Sequence, residues 1–193
     1  MANKVSNVVA GKPKATGGVL LGSMTTPLPT DGLVVPDAGF KAAGYVGDKG
    51  LVEKFGRSTS KVKAWGGDIV KILQTDQELS YQFAFIESVN SDVLKAVYGA
   101  QNVAITPATA GTTTLTSVLL NSTVLPFGRY VFEMKDGLAT IRVVLPNAQI
   151  VDLKDVTYDD GTIIMYDVTV ECFPDASGNK GYKYLNDGQL LAA

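Results

Sequence analysis

The sequence contains no histidine. A Ser-His-Asp triad, a Cys-His dyad, a His-ligated zinc and a histidine proton shuttle are all excluded. One cysteine, Cys172, leaves no partner for an intramolecular disulfide and no thiolate zinc cluster. Positive charge is not in excess either. Seventeen basic side chains face nineteen acidic ones, a formal net charge of −2, whereas a general nucleic-acid binder needs surplus Lys and Arg to neutralise phosphate. Long apolar runs are missing too. The stretch from Ala96 to Gly128 carries no charge, but it is rich in Thr, Ser and Asn and broken by Pro107 and Gly111. It does not read as a membrane-spanning helix. Val19-Leu20-Leu21 is too short for the apolar part of a secretory signal.

What is present suffices for a core. Hydrophobic residues make up 46% and aromatics 8% of 193 residues, a size that suits one domain over residues 1–193. The chain reads as soluble and made in a reducing compartment, with Cys172 as a small apolar side chain. Charge is unevenly placed. Residues 1–71 hold ten basic and five acidic side chains, net +5, and residues 72–193 hold seven and fourteen, net −7. Two readings are open: unequal halves of an ordinary domain, or opposite signs on different surfaces that favour head-to-tail contact between copies.

Residues 1–40 read as an irregular arm, because glycines and prolines alternate densely there. The segment from Gly11 to Gly17 lacks the Lys-Ser/Thr of a phosphate loop and is rejected as one. A β core is expected over residues 43–173. Gly50–Phe55 reads as a strand, Gly56–Lys61 as a polar stretch, and Val62–Trp65 and Asp68–Leu73 as short strands about a Gly66-Gly67 break. Leu79–Ile86 alternates as a half-buried strand does. Asn90 to Gly99 is the one convincing helix, with a polar cap and a closing glycine. Lys135-Asp136-Gly137 signals a hairpin from Val131–Met134 into Ala139–Leu145. Gln149–Tyr158 then precedes an unusually long strand, Thr162–Phe173. Residues 174–193 read as a C-terminal arm with enough apolar side chains to dock. The expectation is mainly β: an antiparallel β-sandwich or partly open barrel with one short flanking α-helix near residues 91–98 and extended arms.

Candidate chemistry is thin. Asp152, Asp155, Asp159 and Asp160 lack calcium-loop spacing and read as solvated turn carboxylates. Asp167 and Glu171, four apart on one strand, sit roughly 13 Å apart, too far for a glycosidase pair. Trp65 beside Gly66-Gly67 reads either as a ligand platform or, more commonly, as a packed aromatic at a β-bulge. No catalytic, metal or cofactor-binding residues are assigned, and no cofactor is expected.

Three stretches nevertheless resemble the major tail tube proteins of long-tailed, non-contractile (siphovirus-type) bacteriophages. They are Val9 to Val19 with Pro27-Leu28-Pro29-Thr30-Asp31; Trp65-Gly66-Gly67-Asp68 through Phe85-Ile86-Glu87 to Gly99; and Phe173 to Gly178. The resemblance implies a structural virion protein and not an enzyme, assembled in the host cytoplasm. Hexameric rings would stack helically into a hollow tube carrying double-stranded DNA without tight binding or membrane insertion. Tail terminator, tail tip or baseplate, and tape measure proteins would be its partners. On that basis Asp167 and Glu171 are lumen candidates. Asp48, Lys49, Glu53, Lys54, Arg57 and Lys61, on an expected loop from Gly47 to Lys61, are candidates for inter-ring stacking. Lys12 and Lys14 are candidate contacts of the N-terminal arm. The alternatives are a tube protein of a contractile tail or secretion apparatus, and a carbohydrate-binding β-sandwich module.

Overall fold

In a computed structural model of the chain, residues 3–15 and 17–189 are described. Thr16, Leu190 and Leu191, which belong to the expected arms, lie outside them. Ten strands and one α-helix follow in order: β1 (Val19–Gly22), β2 (Lys41–Ala42), β3 (Val52–Lys63), β4 (Ile69–Phe85), α1 (Ser91–Tyr98), β5 (Val103–Thr106), β6 (Leu115–Val118), β7 (Gly128–Asp136), β8 (Ala139–Leu153), β9 (Tyr166–Cys172) and β10 (Tyr182–Asn186). Eight strands form one sheet in the order β2-β1-β7-β8-β9-β4-β3, with β10 also on β8; β5 and β6 pair separately. Every pairing is antiparallel. The fold is mainly β and consistent with the expected sandwich.

The sheet folds over because β8 changes partners along its length. Thr140–Val144 lie between β7 and β10, whereas Ala148–Leu153 pair with β9. Pro146 and Asn147 sit at the changeover, where the missing proline N–H costs no ladder bond. The sequence suggests two strands here; the structure has one bent strand serving both layers. Across the core, the β4 rings of Tyr81 and Phe83 each approach Phe132 of β7 at 5.4 Å between centroids. Phe85, Leu145, Val168 and Val170 are buried in the same cluster, while Val131 and Val144 form a second one with Leu20 and Phe40.

Local signals fix the helix and one turn. The Asn90 side chain accepts a hydrogen bond from the Asp92 N–H at 3.0 Å, and Gly99 closes α1 at φ +90°. Val93, Leu94 and Val97 carry its buried face. Asp136 pairs with Ala139 across a two-residue turn in which Gly137 takes φ +59°, the conformation glycine adopts at no steric cost.

The arm is more structured than expected. β1 lies between β2 and β7 and buries Val19 and Leu20, and Pro13 forms a bridge with Met134. A buried charge cluster pins the same segment. Arg142 donates from Nε to Glu133 at 2.9 Å, and from Nη1 to the carbonyls of Asp31 at 2.8 Å and Val34 at 2.7 Å. Lys14 reaches the same Glu133 carboxylate at 2.8 Å. Burial opposes the Glu133 charge, but hydrogen bonds from Lys14 and Arg142 outweigh it and hold the carboxyl below its ordinary range. At the other end of the chain, β10 docks on β8.

Strand β9 is shorter than the expected Thr162–Phe173. Its partners end at Phe85 of β4 and Leu153 of β8, so residues 162–165 have no ladder to join. Asp159 instead draws the preceding residues into a turn, accepting from the N–H groups of Gly161 and Thr162.

Candidate functional site

Two surfaces hold the residues singled out in the sequence. The first is the outer face of the β8-β9-β4 layer. Along β9, Tyr166, Val168, Val170 and Cys172 are buried, while Asp167, Thr169 and Glu171 alternate onto the opposite face. Register sets Thr169 opposite Gln82 and Asp152, and Glu171 opposite Ser80 and Gln149. The face is therefore built from carboxylates, amides and hydroxyls.

Asp167 accepts from Gln82 Nε2 at 3.0 Å and from Lys154 Nζ at 2.9 Å. Burial opposes its charge, yet these two donors, with Lys154 and Lys49 as nearby cations, hold its carboxyl below the usual value. Glu171 has no hydrogen-bond or ion-pair partner among the described residues. Behind this face, burial pushes the Cys172 thiol up to about 12, which keeps it an unreactive apolar side chain. Among the described residues, no three Cys, Asp or Glu side chains gather as a metal-binding group, and no helix is long and apolar enough to cross a membrane.

The second surface is the hairpin of β3 and β4. It pairs from Val52 opposite Gln82 to Lys63 opposite Ile69, with register shifts at Ser58/Thr59 and Val62/Lys63. The last seven residues of β4, Leu79–Phe85, alternate between buried and half-buried; residues 69–76 are exposed throughout. The hairpin thus leaves the body at Gln77 and extends roughly 26 Å beyond it, at ~3.3 Å per residue. Phe55, Val62, Ile69, Val70, Ile72 and Leu73 are exposed along it. At the tip, Gly66 and Gly67 take φ +108° and +97°, and the Ala64 N–H donates to the Asp68 carbonyl at 2.8 Å. Trp65 stands there fully exposed. The expectation of a packed aromatic at a bulge is corrected: the turn carries the ring past any neighbour that could cover it.

The expected Gly47–Lys61 loop is also corrected, since from Val52 onward it is strand β3. Gly56–Lys61 reads as a polar stretch rather than a strand because solvent on both faces removes the alternation that marks one. Its candidates divide by place. Asp48 and Lys49 lie in the turn before β3, at the hairpin base, where Lys49 acts on Asp167. Glu53 accepts from the Tyr81 hydroxyl at 2.8 Å and pairs with Lys183 at 2.5 Å. Lys54 lies 3.8 Å from Glu78, and Arg57 sits 5.3 Å over the Phe55 ring. Lys61 is exposed further out. The arm candidates are engaged within the subunit: Lys12 is 3.8 Å from Asp136, and Lys14 belongs to the Glu133 cluster. No local pattern marks Arg142, since the carbonyls it holds, of Asp31 and Val34, lie 111 and 108 residues away.

No curated relative matches the chain. Two solved structures resemble it at low identity. One is the tube-terminating cap of the anti-feeding prophage, with 10% identity and a TM-score of 0.45 over 96% of this chain and 100% of that one. The other is a sheath–tube complex of an extracellular contractile injection system in its extended state, with 9% identity and a TM-score of 0.43 over 94% and 98%. At that level neither bears on function. A family model for phage tail tube protein, however, matches residues 1–192. The chain belongs to the phage tail tube protein family.

Proposed function

We propose that this chain is the major tail tube subunit of a long-tailed, non-contractile phage, closing into hexameric rings that stack into a hollow conduit for DNA. The observation that carries the reading is the β3–β4 hairpin. A two-stranded ribbon with apolar side chains bare on it is marginal in water and prone to association, so it calls for a neighbouring copy. The sheet ends in two unlike strands, β2 and β3. Edge-to-edge contact between unlike edges is head-to-tail, and such contacts close into rings when the rotation permits.

The outer face of β9 suits a lumen wall. Glu171 repels phosphate, Asp167 neutralises the Lys154 ammonium beside it, and the hydroxyls and amides between them do not grip phosphate, so the duplex slides with little of the drag of unpaired Lys or Arg contacts. The role is passive and needs no catalytic group. Terminator, tip and tape measure proteins are the partners such a tube requires, and the assembled tail of the virion is its location.

Electron microscopy of the concentrated protein tests this reading. Hollow tubes with a regular axial repeat are expected, and a monodisperse monomer at every concentration would overturn it. The lumen assignment has its own test. Asp167→Lys with Glu171→Lys should leave tubes intact but slow DNA release from assembled particles, and unchanged release would remove both residues from the lumen. Co-purification of a sheath protein with the tubes would favour a contractile tail instead.

A further inference from the structure

The hairpin's own chemistry names what it docks on. Between Arg57 and its partner Gln77 lie four cations, Arg57, Lys61, Lys63 and Lys71, against the carboxylates of Asp68 and Asp76, a net charge of +2. All six residues are exposed, and Trp65, Ile69 and Ile72 stand bare among them. A second surface is the mirror of this one. From Val151 to Met165, Asp152, Asp155, Asp159 and Asp160 face the single cation Lys154, a net charge of −3. All four aspartates are exposed, and Val151, Tyr158, Ile163 and Met165 are bare between them.

The two surfaces lie at opposite poles of one sheet. β4 begins at the hairpin tip with Ile69 and ends at Phe85, and Phe85 pairs with Tyr166, the residue at which the chain returns from the acidic loop into β9. Sixteen residue steps separate the ends of β4, about 50 Å at ~3.3 Å per residue. A basic, apolar prong at one pole and an acidic, apolar surface at the other cannot meet within one molecule. They meet when copies line up along the strand direction.

We infer that the β3–β4 hairpin of one copy docks on the Val151–Met165 surface of the next copy along the tube axis, Trp65 and its apolar neighbours covering Tyr158, Ile163 and Met165 while the lysines face the aspartates. This rests on the stacked-ring reading above and identifies the two surfaces that would make the stack. Opposite charge fixes direction and register, because hairpin against hairpin and loop against loop both repel. Apolar burial supplies the adhesion.

Paired charge reversal tests it. A basic-to-acidic hairpin variant (Lys61→Glu, Lys63→Glu, Lys71→Glu) and an acidic-to-basic loop variant (Asp152→Lys, Asp155→Lys, Asp160→Lys) change exposed side chains only, and unaltered circular dichroism checks that each still folds. Each alone should raise the protein concentration needed for tubes at least tenfold. An equimolar mixture should restore tubes, since the acidic hairpin of the first meets the basic loop of the second and the converse pairing is attractive as well. Tubes formed by either variant at the wild-type concentration, or a mixture that fails to recover, would overturn the docking while leaving the tube reading in place. Failure of the unmodified protein to make tubes would overturn both.

Discussion

The two halves of β4 are built from similar residue types and meet opposite fates. In Leu79–Phe85, Leu79, Tyr81, Phe83 and Phe85 are buried, and Phe83 and Phe85 meet edge-on at 4.9 Å. In Ile69–Leu73, Ile69, Val70, Ile72 and Leu73 are all exposed. In the inner half Ser80–Gln82 are paired on both sides, by β3 and β9, and Phe83–Phe85 continue on β9; the outer half has only β3. Strand-forming side chains therefore do two jobs in one element. Where two neighbours and a second layer are present they stabilise the monomer, and where they are absent they leave contact area bare, which the proposed docking between copies would use.

Substitutions should separate these jobs. Phe132→Ala removes the ring that both Tyr81 and Phe83 touch, and chemical denaturation should show a loss of about 3–5 kcal/mol. Arg142→Leu leaves the Glu133 carboxylate without its guanidinium partner and the Asp31 and Val34 carbonyls without a donor. Breaking one side of a buried pair costs about 3–5 kcal/mol; because Lys14 stays on Glu133, the lower end is expected in the same assay. Asn90→Ala removes the helix cap, and a loss of about 1 kcal/mol should appear as a small drop in thermal midpoint. Trp65→Ala is the sharpest contrast. Monomer stability should stay within about 0.5 kcal/mol, while tube formation seen by electron microscopy is lost or weakened. A destabilised Trp65→Ala monomer would erase the distinction between the halves of β4.

Acid should act on the body through Glu133. Its carboxyl titrates lower in the folded chain than unfolded, so its contribution is present above about pH 4.3, the ordinary glutamate value, and disappears as pH falls through the lower folded value. Denaturation midpoints measured down this range should fall, and Glu133→Gln should flatten that part of the profile.

Much of the fold was legible where signals are local. Asn90 and Gly99 bracket the helix, Asp136-Gly137 marks the β7–β8 turn, and alternation in Tyr166–Cys172 separates the polar face from the core. Errors arise where long-range context decides. Pro146 looks like a strand end but sits where β8 exchanges one partner for another. Gln74–Glu78 looks like a gap in β4 but continues the strand, because a ribbon wet on both faces needs no alternation. Val19–Gly22 looks like arm and becomes strand only because β7 lies beside it. Of the candidate site, Asp167 and Glu171 share one face as their spacing implies. The exposure of Trp65 follows from the length of a hairpin that no local pattern reveals.

The Arg142 cluster has a consequence in time as well as in space. Lys14 is separated from Glu133 by 119 positions, and the Asp31 and Val34 carbonyls from Arg142 by 111 and 108. Ribosomes complete residues 14–34 long before their anchors exist, and closing so long a loop is slow. The early segment must wait for the β7–β8 hairpin and settle onto it last. Pulse-labelled hydrogen exchange during refolding should accordingly protect Val143 and Val144 before Leu20 and Leu21. A subunit caught before that step would have a formed body and an open β7 edge, which is a template for pairing with the wrong strand.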